Sequence, residues 1–330
     1  MYRIKQFPED FIVKEISSIN PQPNGQYAYF LLKKTNYTTV DALQILSGKF
    51  RIPLKNFGFA GNKDKNAVTE QKISIFRGSR DFEDIELNGI ELEYLGNGKT
   101  PISLGDLEGN EFTIMIRNLD ENTVKKIKKL ENKKIKIPNL YGPQRFSRNN
   151  GLIGKAIVKR DFRKAAELVL EGSGNAEAQI RKYLENNKNN YIEALRLIPL
   201  KTRKLFVHSY QSFLFNRTAE EYLKNNKKAK NAKIPIVGFN LEIDEVKNKK
   251  LRNIIKKIVG KEKINSRDFV ISQMPELTSE GGFRNLFFEL NFAMLETNND
   301  ELNKNGKKTK VSFALPKSCY ATVALEFLLR

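Results

Sequence analysis

Residues 58–71 read GFAGNKDKNAVTEQ and place one acid, Asp64, between two lysines, just after a turn bracketed by glycines. The glycines permit a tight backbone path, and the neighbouring cations favour the ionised form of Asp64. An ionised carboxylate can serve as a nucleophile or as a base. Alternatively, Asp64 caps a helix that begins in KNAVTEQ (residues 65–71), and spacing alone favours this second interpretation.

The charge balance predicts a polyanionic partner. The chain has 330 residues, of which 58 are Lys or Arg and 38 are Asp or Glu, so its formal net charge is +20. Basic side chains release condensed counterions when they bind nucleic acid, which makes RNA or DNA the first candidate. The alternative explanation is coding bias or the Lys enrichment of proteins from hot environments.

The composition also excludes several kinds of catalysis. With one histidine, His208, and one cysteine, Cys319, a Cys/His zinc site has too few ligands, and a Ser-His-Asp or Cys-His site must use that one histidine. We interpret His208 as a structural or interface residue. No phosphate-binding loop of the form G-x-x-x-x-G-K-[ST] occurs, and no G-x-G-x-x-G follows a strand. The side chains that could still carry out catalysis are carboxylates, lysines and hydroxyls.

The sequence predicts a cytoplasmic monomer that does not contact membranes. No apolar run approaches the roughly 18 residues of a membrane span, and the initial stretch MYRIKQFPED lacks the apolar segment of a secretory signal. A single cysteine cannot form an internal disulfide, which fits a reducing compartment.

Alternating strand and helix patterns predict an α+β sheet domain up to about residue 140. One helix, TTVDALQILSGKF (residues 38–50), carries a Thr cap and an apolar face of Val40, Leu43 and Leu46. The stretch GNG (residues 96–98) is interpreted as a turn. The predicted strands are DFIVKEI, YAYFLLKK, QKISIFR, IELEYLG and EFTIMIR.

From about residue 151 to residue 225 the pattern becomes helical, which indicates a second unit. IPIVGFNLEI (residues 234–243) then predicts a strand. Near the end, FRNLFFELNFAMLE (residues 283–296) and KVSFALPK (residues 310–317) predict two strands. Strands that return so late indicate that the chain terminus rejoins the first sheet.

The stretch NLYGPQRFSRNNG (residues 139–151) combines an aromatic residue, a Gly-Pro turn and the polar side chains of Gln144, Arg145 and Arg148. Nucleic-acid bases stack on aromatic rings and arginines bind phosphates, so this mixture suits a flipped nucleotide. It also suits a strand-to-helix connection between domains, and both interpretations can hold together.

Five stretches of the sequence together resemble the TruD family of tRNA pseudouridine synthases. They occur in the same order as in that family, and the resemblance covers almost the whole chain. The resemblance implies an isomerase that converts a tRNA uridine, position 13 in that family, without metal or other cofactor. The family's catalytic Asp falls on Asp64, which either adds to the ribose C1′ or acts on the sugar to release uracil as a glycal-type intermediate. The stretches are residues 58–71, PEDFIVKE (8–15), SLGDLEGNEFTIMIR (103–117), NLYGPQRF (139–146) and LPKSCYAT (315–322).

The resemblance also implies substrate-binding residues. Asn139 and Tyr141 match the family's Asn-x-Phe, where the ring would stack on uracil, and Lys5 matches an active-site Lys that would align Asp64. The remaining substrate-binding residues that we expect are Phe11, Gln71, Gln144 and Arg145. This chain departs from the family pattern at Tyr141 (usually Phe), at Ser147 (usually Gly) and at Ser318-Cys319 (usually Gly-Ser).

By the same resemblance, the fold is a pseudouridine-synthase catalytic domain with a mixed or antiparallel sheet, formed by residues 1–160 and 286–330. A family-specific α/β insertion domain would cover residues 161–285, giving a V-shaped molecule with an RNA-binding cleft. Lysines of the predicted helix at 124–136, and some among residues 225–233, are candidate phosphate contacts.

Two further functions stay open at this level. A non-catalytic RNA-binding protein or RNA chaperone could use the same basic surface, and a ribosome-associated structural protein could carry the same charge. The presence of Lys5, Asp64 and Asn139 in one chain favours the isomerase, because binding alone does not need these three residues.

Overall fold

The computed structural model describes residues 2–147, 149–226, 229 and 231–329. The contacts within the chain define two compact units, Met1–Ile137 with Glu289–Arg330, and Pro138–Phe288. Arg148 and three candidate phosphate-binding lysines, Lys227, Lys228 and Lys230, lie outside the described residues.

Among the described residues, the first unit consists mostly of strands with a few helices, and the second unit is mainly helical. The strands are β1 (Phe11–Ile16), β2 (Tyr27–Thr35), β3 (Phe57–Phe59), β4 (Val68–Phe76), β5 (Ile90–Gly98), β6 (Gly109–Leu119), β7 (Ile135–Pro138), β8 (Lys233–Ile236), β9 (Gly282–Asn285), β10 (Phe287–Leu290), β11 (Phe292–Asn299) and β12 (Lys307–Pro316). The helices are α1 (Thr39–Phe50), α2 (Glu121–Leu130), α3 (Asn150–Val158), α4 (Phe162–Leu170), α5 (Asn175–Asn186), α6 (Tyr191–Arg196), α7 (Leu200–Lys224), α8 (Lys249–Glu262) and α9 (Ala321–Leu328).

In the first unit the described residues form an eight-stranded mixed sheet. Seven strands follow the order β11-β12-β6-β1-β4-β2-β5, and β3 pairs with β4. Strands β1 and β4 run parallel, whereas β1 with β6, β2 with β4 and β6 with β12 run antiparallel. The α+β class and the return of the late strands to the first sheet are therefore confirmed. Short two-stranded sheets pair β7 with β10 and β8 with β9.

Helix α1 covers one face of this sheet. Thr38 caps it, accepting a hydrogen bond from the backbone N–H of Asp41. Leu43 and Leu46 are buried in a cluster with apolar residues of β2 and β4, as the periodicity predicts. Val40, however, is exposed, because the buried face of the first turn is occupied by Thr39.

Four local predictions are wrong. KNAVTEQ does not begin a helix, because Val68–Phe76 alternates inward and outward as β4, and this removes the helix-cap interpretation of Asp64. Residues 96–98 end strand β5 instead of forming a turn. Of the strand expected at 234–243, only β8 forms. The single strand expected at 283–296 is divided into β9, β10 and β11.

The second unit is built around the long helix α7. Its core is one cluster of apolar side chains from α3 to α8 and the segments that follow. Helix α3 approaches α7 closely at Gly154, where a Cβ would lie 2.0 Å from the carbonyl oxygen of Phe206. Because this packing joins α3 to α7, residues 138–160 group with the second unit, whereas the sequence placed the boundary at 160/161.

Candidate active site

Lys5 and Asp64 form an ion pair in the first unit. The ammonium of Lys5 lies 3.0 Å from Oδ2 of Asp64, and the two side chains are 24% and 48% exposed. The same ammonium lies 4.0 Å from the centre of the Phe11 ring, a cation–π distance. The structure thus brings together three residues that the resemblance implied, and the carboxylate of Asp64 stays partly exposed to solvent.

The N-terminal segment that carries Lys5 is fixed on both sides. Before it, Arg3 and Arg117 exchange backbone hydrogen bonds of 2.9 and 2.8 Å. After it, a carboxylate oxygen of Asp10 accepts from the backbone N–H groups of Gln6 and Phe7. The guanidinium of Arg117 in turn donates hydrogen bonds of 2.8–3.1 Å to both carboxylate oxygens of Asp10, and this ion pair is buried. Asp10, which belongs to the PEDF sequence, therefore positions Lys5.

The loop before Asp64 is held from inside the protein. The fully buried Gln71 donates from its amide to the carbonyl oxygen of Gly61 at 3.0 Å. The side-chain oxygen of Gln71 accepts a hydrogen bond from the hydroxyl of Thr39 at 2.8 Å. This hydroxyl in turn accepts one from the backbone N–H of Lys63. Gln71, expected to bind substrate, thus engages the loop itself.

Two buried lysines complete the support of this loop. The Lys63 ammonium lies 2.7 Å from a carboxylate oxygen of Glu15, and both side chains are at most 5% exposed. Lys34 on β2 donates to the backbone carbonyl of Asp64 at 2.9 Å and to that of Tyr37 at 2.6 Å. Such charge-assisted hydrogen bonds are stronger than neutral ones, so the backbone at Asp64 is firmly placed.

In the second unit Asn139 is buried and paired with Arg284. The guanidinium donates to the side-chain oxygen of Asn139 at 2.6 Å and to its backbone carbonyl at 2.8 Å. The backbone N–H of Asn139 donates to Leu286 at 2.8 Å. Arg284 therefore fixes the orientation of the Asn139 amide.

Tyr141 is half-buried among cations and aromatic rings of the same unit. The guanidinium carbon of Arg284 lies 4.3 Å from the centre of its ring, and that of Arg145 lies 5.6 Å away. The Phe215 ring meets it edge-on at 5.4 Å. Asn216 bonds both backbone polar groups of Tyr141 at 2.9 Å. The position of the Tyr141 ring is thus fixed by two guanidinium groups, one aromatic ring and the hydrogen bonds of its own backbone.

Arg145 contacts helix α7, which also carries His208. Arg145 donates to the hydroxyl of Ser212 at 3.2 Å, and its carbonyl accepts from Ser209. Burial lowers the pKa of His208, and the charges of Arg145 and Lys204 lower it further. This environment disfavours the charged form of His208, and its role as a structural residue stays a prediction.

Known proteins resemble this chain over most of its length. The family model described as tRNA pseudouridine synthase D (TruD) matches residues 2–182, 170–233 and 219–327. A tRNA pseudouridine synthase D from Aquifex aeolicus is 30% identical over 388 residues, covering 99% of this chain and 97% of that protein. The chain belongs to the TruD family. A crystal structure assigned to the TruD protein of Methanosarcina mazei covers 99% of this chain and 93% of its own, with 27% identity and a TM-score of 0.74.

The departures from the TruD pattern have different structural consequences. Ser318 adopts the left-handed φ of +68°, so this position keeps the backbone that glycine would favour. Ser147, in contrast, does not have a positive φ. At Tyr141 the ring packs among Arg284, Arg145 and Phe215.

Two residues that support the candidate site were missed by sequence reasoning. Lys34 continues the inward face of β2 after Ala28, Phe30 and Leu32, so the alternation of β2 could have placed it inside. Arg284 has a weaker signal, because its strand, GFRN, has only four residues and is too short to show a clear alternation. Gln144, which was predicted, is exposed in the second unit.

Within the described part of the chain, no helix is long and apolar enough to cross a membrane. Among those same residues, no three His, Cys, Asp or Glu side chains are grouped so that they could hold a metal ion.

Proposed function

We propose that this TruD-family chain isomerises a uridine of tRNA, uridine 13 by family resemblance, to pseudouridine, with Asp64 as the catalytic carboxylate. The observation that carries the proposal is the ion pair of Lys5 and Asp64. The carboxylate is accessible while the backbone beneath it is held by buried hydrogen bonds. An exposed reactive group on a fixed support is typical of a catalytic site.

The proposed reaction moves the glycosidic bond from nitrogen to carbon. The bond from N1 to C1′ breaks, the uracil turns, and C5 bonds to C1′. The hydrogen on C5 is then released to solvent while N1 regains a proton, so no oxidant or reductant is consumed. Asp64 either bonds to C1′ or acts on the sugar to release a glycal-type intermediate.

The second unit offers groups suited to the base. The amide of Asn139 can pair with polar edges of uracil, and the Tyr141 ring can pack against its face, as pockets for flipped bases require. Gln144 and Arg145 are proposed as further substrate contacts, with Arg145 suited to a phosphate. Phe11 would act through Lys5, whose ammonium it faces.

Tritium release from tRNA labelled at C5 of uridine tests the catalytic assignment. Under single-turnover conditions Asp64→Asn should lose tritium release while its tRNA dissociation constant stays within about threefold, because a neutral amide cannot replace a reacting carboxylate. Glu91→Gln is the matched control, since Glu91 pairs with Lys33 at 3.1 Å elsewhere in the same unit. An Asp64→Asn protein that releases tritium at the parent rate contradicts the assignment.

Mapping of pseudouridine at single-nucleotide resolution, in tRNA treated with the protein, tests the position. We expect modification at uridine 13, activity that survives EDTA, and a monomeric protein of the cytoplasm. A non-catalytic RNA chaperone would instead bind tRNA in a salt-sensitive way, form no pseudouridine, and show equal RNA-folding activity in Asp64→Asn.

A further inference from the structure

A lysine lies buried directly beneath the proposed catalytic residue. Lys34 is 0% exposed, although lysine is almost never fully buried without a partner. Its ammonium donates to the carbonyl oxygens of Tyr37 and Asp64, at 2.6 and 2.9 Å. The two carbonyls belong to different loops, one before α1 and one after β3, so a single side chain ties both together.

The burial of this cation is unfavourable in itself. Desolvation lowers the pKa of Lys34 to about 8, against the raising effect of the nearby Asp64 and Asp41 charges; Lys63 lowers it as well. An apolar side chain of similar length would avoid this cost, but it would leave the two carbonyl oxygens without their donor. What the lysine supplies at this position is therefore its pair of hydrogen bonds to the two loops.

Asp64 lies between two ammonium groups that touch different atoms. Lys5 binds its carboxylate at 3.0 Å, and Lys34 binds its backbone carbonyl at 2.9 Å. The third nearby cation, Lys63, is bound to Glu15 instead. Lys34 is thus the buried lysine whose hydrogen bond acts on the main chain of Asp64.

We propose that Lys34 is a positioning residue that fixes the main chain of Asp64 and so aligns its carboxylate with Lys5 and with the sugar of the bound nucleotide. The inference rests on the proposed function. A displacement of about 1 Å at a catalytic group can slow a reaction by about a hundredfold, even when its cause lies outside the substrate contacts.

The test compares Lys34→Met with Lys72→Met. Lys72, on the neighbouring strand β4, is half-buried and also donates to backbone carbonyls, those of Ser17 and Ile19. We expect Lys34→Met to lower the single-turnover rate of tritium release by about a hundredfold with a tRNA dissociation constant within about threefold, and Lys72→Met to leave both unchanged. A folded Lys34→Met protein within about threefold of the parent rate overturns the proposal.

A second measurement separates this proposal from the proposed function. Amide hydrogen exchange, read on peptides covering residues 58–68, should be faster in Lys34→Met than in the parent and unchanged in Lys72→Met. If the parent forms no pseudouridine, the proposed function fails, and equal exchange in parent and Lys34→Met would overturn the role of Lys34 separately. If Lys34→Met does not fold, Lys34→Gln takes its place in both measurements, with the same expected directions and the same overturning results.

Discussion

Lys5 donates a hydrogen bond of 3.0 Å to Asp64, a residue 59 positions further along the chain. Lys5 reaches this position with a left-handed φ of +58°, a conformation that costs an L-residue about 1–2 kcal/mol. The hydrogen bonds of Asp10 and Arg117 on either side impose it. Backbone strain that neighbouring contacts over-determine is typical of functional sites, which strengthens the assignment of Lys5 to the candidate site.

Removal of the Lys5 ammonium should slow the reaction more than it weakens tRNA binding. Lys5→Met loses the partner that orients the Asp64 carboxylate, so the single-turnover rate should fall by about tenfold to a hundredfold. Lys33→Met is the control, because Lys33 forms a comparable but more exposed pair with Glu91. Equal rates for Lys5→Met and the parent would show that the ion pair has no part in catalysis.

The hydroxyl of Thr39 should be important for stability. Thr39→Val leaves the backbone N–H of Lys63 and the amide of Gln71 without their buried partner, which should cost about 1–3 kcal/mol of unfolding free energy. Urea denaturation measures this loss. Thr123→Val provides the comparison, since its hydroxyl bonds Asp120 on an exposed helix end and should matter less. A loss at Thr39 no larger than at Thr123 would contradict the role of this hydrogen bond.

The extent to which sequence predicts this protein depends on the range of the interaction. Local periodicity is sufficient for β2 and α1, because alternation and helical spacing follow from the burial of one face. The pairs that build the candidate site are long-range, such as Arg117 with Asp10, 107 residues apart, and Arg284 with Asn139, 145 residues apart. No local pattern encodes such pairs, so the supports of the site became visible only in the fold.

The resemblance to a family supplied a different kind of information. It marked Lys5 and Asp64 as site residues without indicating which contacts position their side chains. It also placed Gln71 at the substrate, whereas the fold buries this side chain behind the loop. Motif matching thus marked Gln71 as a site residue, and only the structure shows its contacts.

Ser318 should be replaceable by glycine with a gain in stability. Its φ of +68° lies in the left-handed region, so Ser318→Gly relieves backbone strain and should raise the unfolding free energy by up to about 1 kcal/mol. Ser147→Gly, at a position without positive φ, should be neutral or destabilising. Thermal unfolding of the two variants checks the difference, and a lower midpoint for Ser318→Gly than for Ser147→Gly would contradict it.

Arg284 should not be replaceable by lysine. Its guanidinium donates to two oxygens of Asn139 while its central carbon lies 4.3 Å from the centre of the Tyr141 ring, and a lysine ammonium cannot reproduce this geometry. Arg284→Lys should therefore lose about 1–3 kcal/mol of unfolding free energy. Arg267→Lys, at an exposed arginine of the same unit, is the control. Equal urea midpoints for these two variants would show that the fork geometry is not needed.

The buried Lys34 should make stability depend on alkaline pH. Its pKa is lowered from an ordinary 10.5 to about 8 in the folded chain, mainly by desolvation. Between these values the unfolded chain binds more protons than the folded chain, so the contribution of Lys34 to the unfolding free energy rises with pH across this window. Below about pH 8 this contribution is constant and at its least favourable.

Lys34→Met removes this titration and leaves the other lysines in place. The unfolding free energy of the parent, measured by urea denaturation, should therefore rise more between pH 8 and pH 10 than that of Lys34→Met. The difference between the two curves isolates Lys34, because the remaining charges titrate in both proteins. Parallel curves would mean that the ammonium of Lys34 is not desolvated as its burial between Tyr37 and Asp64 implies.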